Sequence, residues 1–98
     1  MYQVYRVIDH RLGLSSRPDY TLVEGKFFRT ISHPRGWSDQ PEYELGSDGK
    51  IYRSAQHPLG AGAQPDYEFG PDCLLYRTPH HPEGGASVPE YELREMAR

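Results

Sequence analysis

Four histidines stand at regular intervals along the chain, and they are the side chains best suited to carry chemistry. Successive members are 23, 24 and 24 residues apart, and each is followed three residues later by a glycine. They are His10, His33, His57 and His81. Neutral imidazole is a common ligand of zinc, nickel and copper. If a symmetric fold placed the four rings on one small circle, they would form a transition-metal site.

The sequence around these histidines favours a structural role instead. Three of them begin a His-Pro-x-Gly motif. The proline restricts the histidine to an extended backbone, and Pro with a nearby Gly suits a chain reversal. In the first copy Arg11 takes the place of the proline. We therefore expect each histidine to shape its loop, with a ring N–H donated to a backbone carbonyl, and we keep metal binding as the alternative.

Four arginines follow an aromatic residue at the same intervals. They are Arg6, Arg29, Arg53 and Arg77. A ring of guanidinium groups would bind a phosphate or carboxylate through forked hydrogen bonds. The favoured alternative is that each arginine pairs with an acid of a neighbouring strand, such as Glu44, Glu68 or Glu92. Trp37, which occurs in one repeat alone, is a further candidate ligand contact.

Histidines and arginines belong to an internal repeat of about 24 residues. Twelve residues after each arginine stands a proline, followed by an acid, a tyrosine and, two positions later, Leu or Phe. Agreement at so many positions rules out coincidence. We assign units to residues 18–40, 41–64 and 65–88, and a fourth unit to residues 1–17 together with 89–98, within a single domain.

The repeat also contains two aromatic sets. One is Tyr20, Tyr43, Tyr67 and Tyr91; the other is Tyr5, Phe28, Tyr52 and Tyr76. Hydrophobic residues make up 36% of the 98-residue chain, so tyrosine rings must supply part of any core. We expect one aromatic set to be buried, which leaves the other to line a carbohydrate- or peptide-binding surface.

Each unit has the pattern of a β-hairpin. Tyr43 and Leu45 alternate with Glu42 and Glu44, the period of two that is typical of a strand with one apolar and one acidic face. The sequence therefore predicts an all-β fold of four tandem hairpins.

The turns between the paired strands carry their own signals. Ser47-Asp48-Gly49 and Pro71-Asp72-Cys73 match a type I turn followed by a left-handed residue, whereas Glu24-Gly25 matches a two-residue loop. The shorter loop accounts for the single 23-residue step.

The chain begins with the second strand of a unit and ends with the first strand of another. Pairing of these terminal strands would close a pseudo-four-fold ring, propeller-like or a small barrel, and would remove two exposed sheet edges. An open array of hairpins, or exchange of terminal strands in a homodimer, uses the same features. We predict the closed form, as a monomer or homodimer.

Composition narrows the function classes. The net charge of -3, with both signs interspersed, disfavours nucleic acid and anionic membranes as partners. Cys73 is the single cysteine, so neither an internal disulfide nor a cysteine-based zinc site is expected. The N-terminus lacks a signal pattern and no run of about 18 apolar residues occurs, which indicates a cytoplasmic protein.

Enzymatic activity is not expected, because repetition supplies one group several times whereas catalysis needs dissimilar groups in unequal roles. Gly36-Trp37 and the run Asp48-Gly49-Lys50-Ile51-Tyr52 resemble the short hairpin repeats of bacterial cell-wall-binding proteins, a resemblance that implies carbohydrate binding. The primary prediction is a non-catalytic binding or protein-interaction module for an unknown protein or small ligand, without a cofactor. The alternatives are metal binding by the histidines and carbohydrate binding.

Overall fold

Short alternating segments separated by glycine- and proline-rich turns form eight antiparallel strands in this chain. The computed structural model describes residues 1–96, so the last two residues of the fourth predicted unit lie outside it. The strands are β1 (Tyr2–Arg6), β2 (Tyr20–Val23), β3 (Lys26–Arg29), β4 (Pro41–Leu45), β5 (Lys50–Arg53), β6 (Tyr67–Phe69), β7 (Leu74–Arg77) and β8 (Tyr91–Glu95). Each strand pairs with its neighbours in chain order, and the sheet closes into a barrel.

Barrel closure depends on the two ends of the chain. β1 pairs with β8 over five residue positions, from Tyr2 opposite Glu95 to Arg6 opposite Tyr91. Beyond the strands, the Val7 N–H donates to the Glu90 carbonyl and extends the same register. The prediction of an all-β ring closed by its terminal strands is confirmed. Closure matters because the free edges of short strands would otherwise be open to pairing with another chain.

Two layers of side chains fill the barrel. The apolar layer has one residue from each of β1, β3, β5 and β7, and each is at most 2% exposed. It consists of Val4, Phe27, Ile51 and Leu75. The second layer is the set Tyr20, Tyr43, Tyr67 and Tyr91. Large rings thus replace aliphatic residues that the composition lacks, and their burial stabilises the fold.

The predicted apolar and acidic faces of β4 do not translate into burial and exposure at the two ends of the strand. Glu42 is 3% exposed, whereas Leu45 is 37% exposed. Glu42 lies near the barrel mouth, where it accepts the Tyr20 hydroxyl and pairs with Arg35 from the preceding loop. Leu45 lies at the opposite end of the strand, beside the turn to β5, where little covers it. Strand alternation sets the face of a side chain, but position along the barrel decides its burial.

The turn predictions are largely confirmed. Gly49 has φ 81° and Cys73 has φ 59°, so both positions are left-handed as expected. Glu24 and Gly25, at φ 50° and 77°, form the predicted two-residue loop between β2 and β3. Asp72 departs from the prediction, because its φ of 62° adds a second left-handed residue before Cys73, whereas both central residues of a type I turn have negative φ.

No helix within residues 1–96 has both the length and the apolar character needed to cross a membrane.

Candidate functional site

The four repeated histidines line one cavity at the mouth of the barrel. Its volume is about 370 Å³, and its floor is formed by Tyr20, Tyr43, Tyr67 and Tyr91. The walls come from the connecting loops and include Arg11, Leu12, Arg35, Leu59 and Glu83. We call this space the mouth cavity. Every loop contributes the same histidine because the repeat places it at the same point after its strand.

Both nitrogens of each histidine ring are engaged. The Nδ1 atom accepts the backbone N–H two residues further along the chain, at 3.0 Å in all four loops. The Nε2 atom lies 3.1–3.2 Å from a tyrosine hydroxyl of the floor. The pairs are His10–Tyr91, His33–Tyr20, His57–Tyr43 and His81–Tyr67. An accepting Nδ1 places the proton on Nε2, which therefore donates to the tyrosine oxygen.

This pairing gives the histidines the loop-shaping role that the His-Pro-x-Gly context indicates, with different partners from those predicted. The expected ring N–H donation to a backbone carbonyl is wrong, because the backbone N–H donates to the ring instead. A proline directly after the histidine removes one N–H, and the next residue in the loop, such as Leu59, supplies the donor.

Burial keeps these imidazoles neutral. It is the main cause that lowers the pKa of His10, His33 and His81 to about 4, and it lowers the pKa of His57 as well. Nearby guanidinium groups act in the same direction, Arg6 on His10 and Arg77 on His81. At neutral pH the mouth cavity is therefore lined by uncharged rings.

No group of three or more His, Cys, Asp or Glu side chains within residues 1–96 is placed to hold a metal ion. The hydrogen bonds explain why four equivalent histidines can share a cavity without forming such a group. A metal would have to take either the Nδ1 lone pair from a backbone N–H or the Nε2 proton from a tyrosine contact.

The tyrosine floor is a closed ring of edge-to-face contacts. Neighbouring ring centroids are 5.7–6.0 Å apart, and the planes are inclined by 75–80°. Edge-to-face geometry at this distance is favourable for aromatic pairs. Burial raises the pKa of all four hydroxyls. The floor thus remains protonated and rigid, which suits a preformed site.

Two of the four floor tyrosines donate their hydroxyl to an acid of the following unit, and the other two do not. Tyr20 donates to Glu42 at 3.2 Å, and Tyr67 donates to Glu90 at 3.5 Å. The corresponding acids for Tyr43 and Tyr91 are Asp66 and Asp19, and no such bond joins them. The Oδ1 atoms of both aspartates are buried without a hydrogen-bond partner. A side chain one methylene shorter does not reach the hydroxyl.

Three of the four predicted arginines pair with acids at the barrel mouth. Nε–carboxylate distances are 3.2 Å for Arg6–Asp19, 3.5 Å for Arg53–Asp66 and 3.0 Å for Arg77–Glu90. The suggested pairing with Glu44, Glu68 or Glu92 is not seen. The register between β5 and β6 explains the difference. It places Lys50 opposite Glu68 and Ile51 opposite Tyr67. Arg53, further along β5, therefore lies nearer to Asp66 than to Glu68.

The fourth arginine lies in a different environment. Arg29 lines a groove of about 350 Å³ on the barrel wall together with Trp37, which is 66% exposed. Its Nε atom is buried without a hydrogen-bond partner, as are those of Arg6, Arg53 and Arg77, but unlike them it has no carboxylate of residues 1–96 within ion-pair distance. Of the predicted ligand-binding set, Arg29 and Trp37 are thus brought together, whereas Arg6, Arg53 and Arg77 are held in ion pairs around the mouth.

The second aromatic set, which we call the outer aromatics, has partners of its own in three units. Its members are Tyr5, Phe28, Tyr52 and Tyr76. Tyr5 carries the Arg94 guanidinium over its ring at 4.1 Å. Tyr52 and Tyr76 pack on Gly46 and Gly70, where any Cβ would collide with the ring. Phe28, the fourth member, lines the groove beside Trp37.

Compared with protein-family models, with curated proteins and with solved structures, the chain matches none of them. Arguments about function therefore rest on the geometry of the two cavities.

Reasoning from sequence missed the histidine–tyrosine pairs and the acids behind them. A signal was present, since a buried tyrosine hydroxyl needs a polar partner and the histidine is the repeated group able to provide one. The wrap-around pair His10–Tyr91 is separated by 81 residues, and only ring closure brings it together.

Proposed function

We propose that this chain is a non-catalytic binding module whose ligand enters the mouth cavity. The observation that carries the proposal is a preformed space of about 370 Å³, built by all four units and framed by equivalent histidines and tyrosines. This volume lies in the range of small-molecule sites. Fixed rings and loops support binding, because little conformational entropy remains to be lost when a ligand enters.

The chemistry of the walls favours a small polar ligand. Neutral imidazole edges and tyrosine rings form the lower part, while Arg11, Arg35 and Glu83 bring charges of both signs to the rim. Asp19, Asp66 and Glu90 also line the cavity, although the Oδ1 atoms of the two aspartates are buried out of reach of a ligand. A molecule with both donors and acceptors, such as a sugar or an amino acid, fits this combination better than an apolar one.

A ligand screen with two matched variants tests the proposal. Leu59 lines the mouth cavity and is 61% exposed, whereas Leu14 is 68% exposed and does not line it. Ligand-observed NMR against a set of sugars, amino acids and nucleosides should give binders that lose their signal with Leu59→Trp and keep it with Leu14→Trp. Binders indifferent to Leu59→Trp, or no binder at all, would contradict the proposal.

Metal binding by the four histidines is the alternative, and a metal would have to displace the tyrosine hydroxyls or backbone N–H groups that the ring nitrogens contact. Elemental analysis of protein purified without a histidine tag tests it, and metal well below one equivalent per chain ends it. Carbohydrate binding becomes a special case of the mouth-cavity proposal.

A cytoplasmic location remains part of the proposal, supported by the exposed, unpaired Cys73, which suits a reducing compartment.

A further inference from the structure

The groove around Trp37 differs from the rest of the barrel wall in its charge. Elsewhere the repeated arginine meets an acid thirteen residues later, as Arg53 meets Asp66. The equivalent acid for Arg29 is Glu42, which is instead paired with Arg35. Within residues 1–96, no ion pair joins Arg29 to a carboxylate. In the described part of the chain this guanidinium therefore lacks the ion-pair partner that the other three arginines have, and burial of its Nε atom reduces the help it gets from water.

The same groove is apolar over most of its wall. Val23, Phe28, Ile31 and Trp37 line it, and Ile31 is 85% exposed. Three hydroxyl-bearing residues, Thr21, Thr30 and Ser38, complete the lining together with Asp39. Within residues 1–96, no other unit combines an arginine that lacks an ion pair with exposed apolar and aromatic surface. In those units the outer aromatic is covered, by Arg94 or by the close approach of a turn glycine.

We propose that this groove, the Arg29 groove, binds a small carboxylate that has a flat apolar body, such as an aryl carboxylate. A guanidinium holds a planar carboxylate through forked, charge-assisted hydrogen bonds. The flat body lies on the indole of Trp37 and removes apolar surface from water. The site is separate from the mouth cavity, with which it shares no lining residue.

Asp39 is the other charge on the groove lining, and it sets the sign of a control. Glu42 does not line the groove and is already engaged by Arg35 and by the Tyr20 hydroxyl. Asp39 lies on the groove lining and is exposed, so it repels an anionic ligand. Removing the Asp39 charge should strengthen carboxylate binding, whereas removing the Arg29 charge should weaken it.

Intrinsic fluorescence reads this site directly, because Trp37 is the single tryptophan of the chain. Titration with phenylacetate should change the emission in a saturable way, and the neutral isostere phenylacetamide should bind at least about tenfold more weakly. Arg29→Gln should weaken phenylacetate binding by a similar factor, Arg29→Lys by less, and Asp39→Asn should tighten it. If Arg29→Gln does not fold, Asp39→Asn carries the comparison. Equal binding of acid and amide, weaker binding by Asp39→Asn, or no saturable change at millimolar phenylacetate would overturn the proposal.

Discussion

Single residues in this protein act through short hydrogen-bond chains that cross from one unit to the next. In the unit of residues 18–40 the Arg35 N–H donates to His33 Nδ1, and His33 Nε2–H donates to Tyr20. Tyr20 in turn donates to Glu42 of the next unit. Each link lies at a repeated position, so the same chain occurs around the mouth with small differences. These differences, Asp against Glu in particular, decide where polar groups are left without partners.

Acid should destabilise the folded state between about pH 6.5 and 4. The pKa of His10, His33 and His81 is about 4 in the folded protein and 6.5 in the unfolded chain, so the unfolded chain binds more protons in this window. Above pH 6.5 these histidines are neutral in both states and do not reduce the free energy of unfolding. As the pH falls towards 4, proton uptake by the unfolded chain lowers that free energy. Burial raises the pKa of Asp66 and Glu90, which offsets part of the loss towards the acidic end.

Urea denaturation at several pH values across this window measures the effect. His81→Gln should flatten part of the pH dependence, because the amide can still donate to Tyr67 but does not titrate. Stability that stays level or rises between pH 6.5 and 5 would contradict the neutral-histidine account.

Lengthening one acid should complete the network at Tyr43. Asp66→Glu should reach the Tyr43 hydroxyl as Glu90 reaches Tyr67, while keeping the arginine contact that Glu90 also keeps. We expect a gain of about 1 kcal/mol in the free energy of unfolding, the usual contribution of one such bond. The reciprocal change, Glu90→Asp, should cost a similar amount in the same denaturation experiment. A loss with Asp66→Glu would show that the hydroxyl is already satisfied.

At the scale of the elements, the hairpins follow from sequence because their signals are local. Strand alternation, the turn glycine Gly49 and the two-residue loop Glu24-Gly25 each depend on neighbouring residues alone. Burial of Glu42 and the partner of Arg53 could not be obtained in this way. Both depend on register between strands of different units and on the depth of each position in the barrel.

The turn between β6 and β7 tests this local reasoning. Cys73 is left-handed at φ 59°, at the position that Gly49 occupies in the β4–β5 turn. Such a conformation costs a non-glycine residue roughly 1 kcal/mol, so Cys73→Gly should stabilise the protein by that order. Asp72→Gly should gain less, because aspartate tolerates this region better. Gly49→Ala should lose a comparable amount.

Chemical melts under reducing conditions measure these three turn variants. A clear loss of stability with Cys73→Gly would mean that the cysteine side chain contributes more than its backbone strain costs.

The whole molecule depends on the meeting of its two ends. Pairing of β1 with β8 closes the barrel and brings His10 to Tyr91, so one quarter of the mouth cavity exists only after closure. The sequence predicts closure because the two terminal half-units are complementary, and it also predicts four histidines at equivalent positions. It does not predict a cavity, since the depth of the tyrosine floor depends on how tightly eight strands curve.

A cross-strand disulfide tests closure most directly. The backbone bonds from Val7 to Glu90 and from Met96 to Met1 identify hydrogen-bonded pairs of the β1–β8 ladder. Because such pairs alternate with non-hydrogen-bonded ones, Tyr2 and Glu95 form a non-hydrogen-bonded pair. The Cα atoms of such a pair lie close enough for a disulfide. In a Cys73→Ser background, Tyr2→Cys with Glu95→Cys should oxidise to an internally cross-linked monomer, and either single variant should not. Disulfide-linked dimers would show exchange of terminal strands, and two thiols that stay free would show an open array; either result would contradict the closed barrel.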